Sequence, residues 1–244
     1  MDVCKAKKMN IFKFGQLTTA PLVVDAVYEG GNAPNLKSEV ISKVLSAENN
    51  KGTTLKVHNT GGFRYRGQLP NPLVVVLTSN SSEPAWPDNI NPITSQLTYF
   101  GDNRSPGELH DTNLGGNQIL ADSFARFESG SAARESLPIF LYFTKWSGFS
   151  QQFRGLVVPG GIGVSEGDQL VTEWSTKNGF TFQNYKALFT VLNIPELSRQ
   201  WITDLILGKD KLLNAPEIYR RWVATGEYEP LVSENEAHVR TKQE

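Results

Sequence analysis

Residues 97–117, Leu-Thr-Tyr-Phe-Gly-Asp-Asn-Arg-Ser-Pro-Gly-Glu-Leu-His-Asp-Thr-Asn-Leu-Gly-Gly-Asn, combine side chains that a plain structural loop rarely combines. Tyr99 and Phe100 lead into Gly101, and Asp102, Asn103 and Arg104 follow at once. Further on, His110 and Asp111 precede Gly115-Gly116-Asn117. Aromatic faces beside a carboxyl group suit a planar base with an exocyclic amine. The rings stack on it, while the carboxyl accepts from the amine and, when protonated, also donates to a ring nitrogen. Side chains alternate along a strand, so only one of Tyr99 and Phe100 can face such a base. The plainer reading is that an aromatic is core and Asp102 caps a turn.

Other constellations fail on their chemistry. Trp86-Pro87-Asp88 matches the acid loop of tyrosine phosphatases, but that enzyme needs a thiolate in a phosphate cradle. The lone cysteine, Cys4, is followed by Lys-Ala-Lys-Lys-Met. Gly160-Gly161-Ile162-Gly163 lacks the Gly-Lys-Ser/Thr of a P-loop and reads as a hairpin turn. Three histidines and one cysteine are scattered without zinc-ligand spacing. No Gly-x-Ser-x-Gly elbow is present. Nothing in the sequence forms a complete active site.

The elements that must position residues 97–117 read mostly as strands. Leu22–Tyr28 is one, closed by Gly30-Gly31. Residues 61–67, Gly-Gly-Phe-Arg-Tyr-Arg-Gly, form a second, with Arg64 and Arg66 on the same face. Leu73–Leu77, Leu97–Gly101, Ile139–Lys145, Phe153–Val158, Gln169–Trp174 and the alternating Tyr185–Val191 follow. Leu36, Val40 and Val44 predict a short helix over Asn35–Leu45. Ile119, Leu120, Phe124 and Phe127 predict another after Gly115-Gly116. Leu197, Trp201 and Leu205 lie a turn apart behind Pro195 and stop at Gly208; Ile218 and Trp222 mark a last helix between Pro216 and Gly226. Many strands, few helices and a helical end predict an α+β domain on a curled sheet or barrel, not a Rossmann or TIM fold.

Length and charge bound the partners. The 244 residues suffice for one large domain with a small appendage. No apolar run approaches a membrane span, residues 1–14 lack the apolar core of a secretory signal, and a single cysteine suits the reducing cytoplasm. The formal net charge of −1 averages over an uneven chain, since residues 1–70 hold ten Lys/Arg against five Asp/Glu. That is either a solvated lysine-rich terminus or one basic face on a mildly acidic body.

Six segments, in order, resemble the N-terminal domain of AspBHI-type modification-dependent restriction endonucleases. They are residues 61–66, Trp86-Pro87-Asp88, Thr98–Arg104, Glu108–Asp111, Gly115-Gly116-Asn117 and Phe153–Gly160. The segments lie between residues 61 and 160, and the resemblance as a whole extends over about residues 25–230. The resemblance implies an SRA-like curled β-barrel with flanking helices and a C-terminal helical appendage. Such a domain binds double-stranded DNA carrying a modified cytosine, typically 5-methylcytosine, and flips that base out of the duplex. It divides the chain into a recognition domain at 1–193, a helical linker at 194–230 and a polar tail at 231–244. A PD-(D/E)xK nuclease domain would follow the tail, bringing Mg2+ with it; this chain itself is expected to be non-catalytic and without a cofactor or metal. A homo-oligomer is an open option for the full-length protein, and the sequence does not decide the oligomeric state. Carried over residue by residue, Tyr99 or Phe100 stacks on the base and Asp102 reads its Watson–Crick edge. Asn103 and Arg104 hold the loop and the flanking phosphate. Arg64, Arg66, Lys145 and Arg154 contact DNA, with a surface ion pair open as the alternative for each arginine. His110, Asp111 and Asn117 support the pocket, the first two as a hydrogen-bonded pair. Two other functions stay open on residues alone. One is a metal-dependent phosphoesterase using Asp102, His110 and Asp111; the other is a carbohydrate- or protein-binding β-domain using Trp86 and Trp146.

Overall fold

Strands form where β-branched and aromatic residues alternate or run together between glycines and prolines. The computed structural model describes residues 9–33, 36–58, 62–80, 87–177 and 179–231, so Cys4, Trp86 and nearly all of the 231–244 tail lie outside the described residues. The main elements are β1 (Phe63–Gln68), β2 (Asn71–Ser79), β3 (Gln96–Phe100), α1 (Gly116–Arg126), α2 (Ser131–Ser136), β4 (Ile139–Lys145), β5 (Gln151–Pro159), β6 (Leu170–Lys177), β7 (Phe180–Val191), α3 (Arg199–Leu207) and α4 (Glu217–Thr225).

One large mixed sheet runs β1-β2-β4-β5-β7-β3, with the two-residue strand Asn89–Ile90 beyond β3. β2 and β4 pair in parallel, and the other neighbours are antiparallel. The sheet curls because its long strands change partners. β5 pairs with Val27–Tyr28 through Gln151 and Gln152, then with β7 through Val157–Pro159. β7 in turn pairs with β6 through Ala187 and reaches β5 at Phe189. Gly155 makes the bend in β5 possible, at φ 135°, with Val191 where a side chain would stand. The architecture is α+β, as expected. The hydrogen-bonded path ends at β1 and at Asn89–Ile90, and among the described residues it does not close into a barrel.

Two local expectations change. The Leu22–Tyr28 strand is broken at Asp25, whose φ of 64° leaves two short strands. Leu22–Val23 pairs with Glu196–Leu197, whereas Val27–Tyr28 joins the main sheet. The helix over residues 35–45 becomes a 3-10 turn, Leu36–Ser38, and one helical turn, Ile41–Val44. The Glu39 carboxylate between them accepts from the N–H groups of Ile41 and Ser42 and restarts the helix. Near the C-terminus, Ser198 rather than Pro195 caps α3, accepting from Trp201 N. Gly208 and Gly226 end α3 and α4 in the left-handed region. Trp201, Ile206, Tyr219 and Trp222 from these helices share one buried core with Val75, Phe140, Phe153 and Phe189 of the sheet. None of the helices is long and apolar enough to cross a membrane among the described residues.

Candidate nucleic-acid interface

The site grows from the end of β3. Tyr99 pairs with Ala187 and Phe100 with Lys186, so their rings leave the sheet on opposite faces. Phe100 packs with Phe182, apart from the main core. Tyr99 packs between Phe63 and Tyr142, with ring centroids 6.3 Å away on each side. Burial, reinforced by the nearby Asp88 carboxylate, holds its hydroxyl well above the ordinary tyrosine pKa. The ring that faces a pocket is therefore Tyr99, and it is a neutral phenol.

Past Tyr99 the chain threads between two buried asparagines. A Cβ on Gly101 would stand 1.8 Å from Asn117 Oδ1 and 2.6 Å from Asn184 Oδ1, so only glycine fits. Asn184 Nδ2 donates to Gly101 O (3.0 Å), and Asn117 Oδ1 accepts from Asp102 N (3.1 Å). Asn103 Nδ2 donates to Gln183 O (2.7 Å), and Asn117 Nδ2 to Leu109 O (2.8 Å). Asp102 then sits on the N-terminus of α1. Its Oδ1 accepts from Asn117 N (2.9 Å) and its Oδ2 from Gly116 N (3.0 Å), satisfying two of the N–H groups that a helix start leaves open. Gly116 is required in turn, because a Cβ there would lie 2.6 Å from Asp102 Cγ.

These residues enclose a pocket of about 330 Å³, within the range of small-ligand sites. Tyr99 and Phe63 form one wall, Asp102, Asn103 and Arg104 another, and Asp111–Leu114 the third. Arg104 is exposed at the rim.

Asp88 belongs to the same neighbourhood, although the sequence reading gave it no role: its motif served as a failed phosphatase match and as one segment of the family resemblance. Its Oδ1 accepts from Phe100 N at 2.8 Å, so it ties the loop before β3 to the strand's end. Burial pushes its pKa up to about 6, against the opposing hydrogen bonds from Phe100 N–H and Ser79 and the charge of Arg104. Tyr99 and Tyr142 both feel its charge. The signal available in the sequence was an acid eleven residues before Tyr99, in a Pro/Asn/Ser-rich loop; only the fold brings the two together.

The expected cations are spread out. Arg64 is corrected most plainly. Its side chain is only 11% exposed, and Nη1 lies 2.5 Å from Glu39 Oε1, so a buried ion pair stands where a DNA contact was expected. Arg66 Nε donates to Ile206 O at 3.2 Å. Arg154 pairs with Asp25 at 3.0 Å. Lys145 and Trp146 are exposed at the end of β4.

Residues 22–234 match the protein family described as "Restriction endonuclease AspBHI N-terminal". The chain belongs to this family. Two solved members are similar over nearly their whole length. The DNA modification-dependent restriction endonuclease AspBHI is 36% identical with a TM-score of 0.82, covering 92% of this chain and 100% of that one. The DNA recognition domain of the cytosine modification-dependent restriction endonuclease LpnPI is 38% identical with a TM-score of 0.81, covering 93% and 98%. The MspJI restriction endonuclease, solved with a 27-mer oligonucleotide, shares the fold at 17% identity and a TM-score of 0.67, over 88% of this chain and 55% of that one. No curated protein matches the sequence.

For this AspBHI N-terminal domain the phosphoesterase alternative loses its geometry. The Asp102 oxygens are turned to the α1 N–H groups, and His110 Nε2 lies 2.9 Å from the Tyr185 hydroxyl. No group of three or more His, Cys, Asp or Glu is placed to hold a metal ion among the described residues. The expected His110–Asp111 pair is replaced by the stacked His110–Tyr185 pair, with ring centroids 5.7 Å apart. Asp111 is exposed on the pocket loop, its N–H donating to Glu108 O.

Proposed function

We propose that this chain is the DNA-reading part of a modification-dependent restriction endonuclease. In this reading it binds double-stranded DNA and flips a modified cytosine, 5-methylcytosine being the first candidate, into the pocket beside Tyr99. The pocket against the neutral Tyr99 ring supports the reading most directly, together with the Asp88 carboxyl, which is bonded to the same strand end and whose pKa burial pushes up to about 6. Cytosine presents an amine donor next to a ring-nitrogen acceptor, and a protonated carboxyl is complementary to both at once. We assign that task to Asp88 because burial raises its pKa; both carboxyls already accept protein hydrogen bonds, Asp88 from Phe100 N and Ser79 and Asp102 from the start of α1. Asp102 then acts by holding the pocket loop on the helix, and Arg104 at the rim meets a flanking phosphate. Lys145 and Arg154 remain candidates for backbone contacts.

An SRA-like curl fits the same reading. Gly62 and Phe63 at the start of β1 approach the end of β3, with the Tyr99 hydroxyl 3.5 Å from Gly62 O. The pocket opens across that seam. Flipping costs a few kcal/mol of unstacking, which stacking and hydrogen bonds in the pocket must offset. A buried methyl group adds only about 1 kcal/mol, so discrimination relies on shape and on rejection of wrong base edges. Mg2+ would belong to a nuclease domain of the same endonuclease, and the cytoplasm is the compartment in which such a protein meets DNA.

Fluorescence anisotropy on duplexes differing only in one 5-methylcytosine tests the proposal. At least a tenfold preference for the modified duplex is expected, and equal affinities would overturn it. A 2-aminopurine reporter beside the modified base should brighten on binding; no change would remove flipping while leaving modified-DNA binding intact.

A further inference from the structure

We infer that the β6–β7 ribbon is an arm that lies along double-stranded DNA beside the flipped nucleotide, with Trp174 as its principal contact. This rests on the base-flipping reading above. Along its outer part the ribbon stands clear of the sheet. Among the described residues β6 pairs with β7 alone, and β7 gains β3 on its other edge only from Lys186 onward. A two-stranded ribbon is marginal in water on its own. One face is tied down by Phe182 against Phe100 and by the Lys186–Glu173 ion pair. The other face carries Thr172, Trp174, Thr176 and Thr181, all exposed, with Trp174 at 67%.

Register makes this face continuous with the pocket. Tyr99 pairs with Ala187, Thr172 with Tyr185, and Trp174 with Gln183, so Tyr99, Tyr185 and Trp174 share one side of the sheet. Both intermediate residues are fastened to the pocket loop. The Tyr185 hydroxyl meets His110 Nε2, and Gln183 O accepts from Asn103, which lines the pocket. Trp174 lies two inter-strand spacings across from Tyr99 and four residues further along β7, roughly 16 Å away in all. A duplex whose base occupies the pocket continues at about 3.4 Å per base pair past the mouth, so the tryptophan falls near the fourth or fifth neighbouring pair. A DNA groove admits a two-stranded β-ribbon. Threonine hydroxyls bind phosphate oxygens without charge, and an exposed indole stacks on or wedges between bases.

The test uses Trp174→Ala and Trp174→Phe in the full chain, with thermal melts to establish that both fold. Affinities are measured on a 30-base-pair duplex with a central 5-methylcytosine, and on versions cut to two pairs on either side of that base in turn. Trp174→Ala should lose about tenfold on the long duplex, a loss within the range of one base–aromatic stack. It should lose nothing on one of the shortened duplexes, and Trp174→Phe should retain most of the affinity. Wild-type affinity of Trp174→Ala for the long duplex would overturn the arm. So would a loss that tracks dissociation of a dimer in gel filtration, which would make the face a contact between two copies. If the wild type fails to distinguish modified from unmodified DNA, the flipping reading falls instead. The arm is then judged by Trp174→Ala on unmodified duplex, where an unchanged affinity overturns it.

Discussion

Two carboxylates lie near Tyr99, and the proposed reading gives base recognition to Asp88 and support of the pocket loop to Asp102. The sequence pointed to Asp102 because it follows the aromatic pair directly. Asp88 was hidden, since its importance comes from burial and from a bond to Phe100 N that no spacing rule announces. The Tyr99/Phe100 choice, by contrast, was legible up to one bit: alternation said that one ring faces the pocket, and the register with Ala187 says which. The Asp88 assignment has a pH signature. Its pKa rises from 3.8 unfolded to about 6 folded, so its stabilising contribution is complete below pH 3.8 and is lost as pH climbs through about 6. Asp88→Asn removes that loss, and the stability gap between wild type and variant should move in the variant's favour between pH 4 and 7. Affinity for the modified duplex should fall as pH rises through 6 in the wild type and stay flat in Asp88→Asn, whose amide supplies one donor and one acceptor at any pH. Parallel binding profiles for the two proteins would remove Asp88 from base reading.

At the scale of elements, the junction between β3 and α1 does the positioning. Both elements were readable: β3 from its apolar-aromatic run, α1 from Ile119, Leu120, Phe124 and Phe127 behind a double glycine. Their mutual lock was not. Gly101 and Gly116 are ordinary turn residues in a sequence, yet each is required because another element's side chain fills the space a Cβ would take. The broken Leu22–Tyr28 strand has the same kind of cause, because its two halves serve different partners, Leu197 and Gln152, more than 40 residues apart. Gly101→Ala tests the lock. The new methyl group must displace Asn117 or Asn184, and with Asn117 goes its bond to Asp102 N. A loss of about 2 kcal/mol or more in denaturant unfolding is expected, since the buried amides lose partners. Loss of preference for the modified duplex should accompany it, at a temperature where the variant is still folded. Gly15→Ala, with no positive φ and nothing within 4 Å of the added carbon, is the control for loss of a glycine. Equal effects from both would show that backbone freedom, rather than close packing on the asparagines, matters here.

Over the whole molecule, local charge predicted more than net charge, but it overstated the size of the basic face. Within the basic first 70 residues, Arg64 is sealed against Glu39, Arg66 is bonded to the end of α3, and Lys13 is paired with Glu29 at 2.8 Å. A sequence cannot show this, because the Arg64 partner lies 25 residues away across a helix start. Arg104, from a stretch that is acidic on balance, is the cation left at the pocket rim. The two arginines should therefore separate in opposite assays. Arg64→Ala leaves Glu39 buried without its partner, a change that costs about 3–5 kcal/mol and lowers the melting temperature by roughly 10 °C. Below its melting range, the salt dependence of its DNA binding should match the wild type. Arg104→Ala should melt like the wild type and weaken binding to modified and unmodified duplexes alike. Its log affinity against log salt should flatten by about 0.9, the signature of one lost phosphate contact. If Arg64→Ala flattens the slope while Arg104→Ala does not, the DNA lies on the β1 side of the sheet, and the pocket mouth must face a different way from the one argued here.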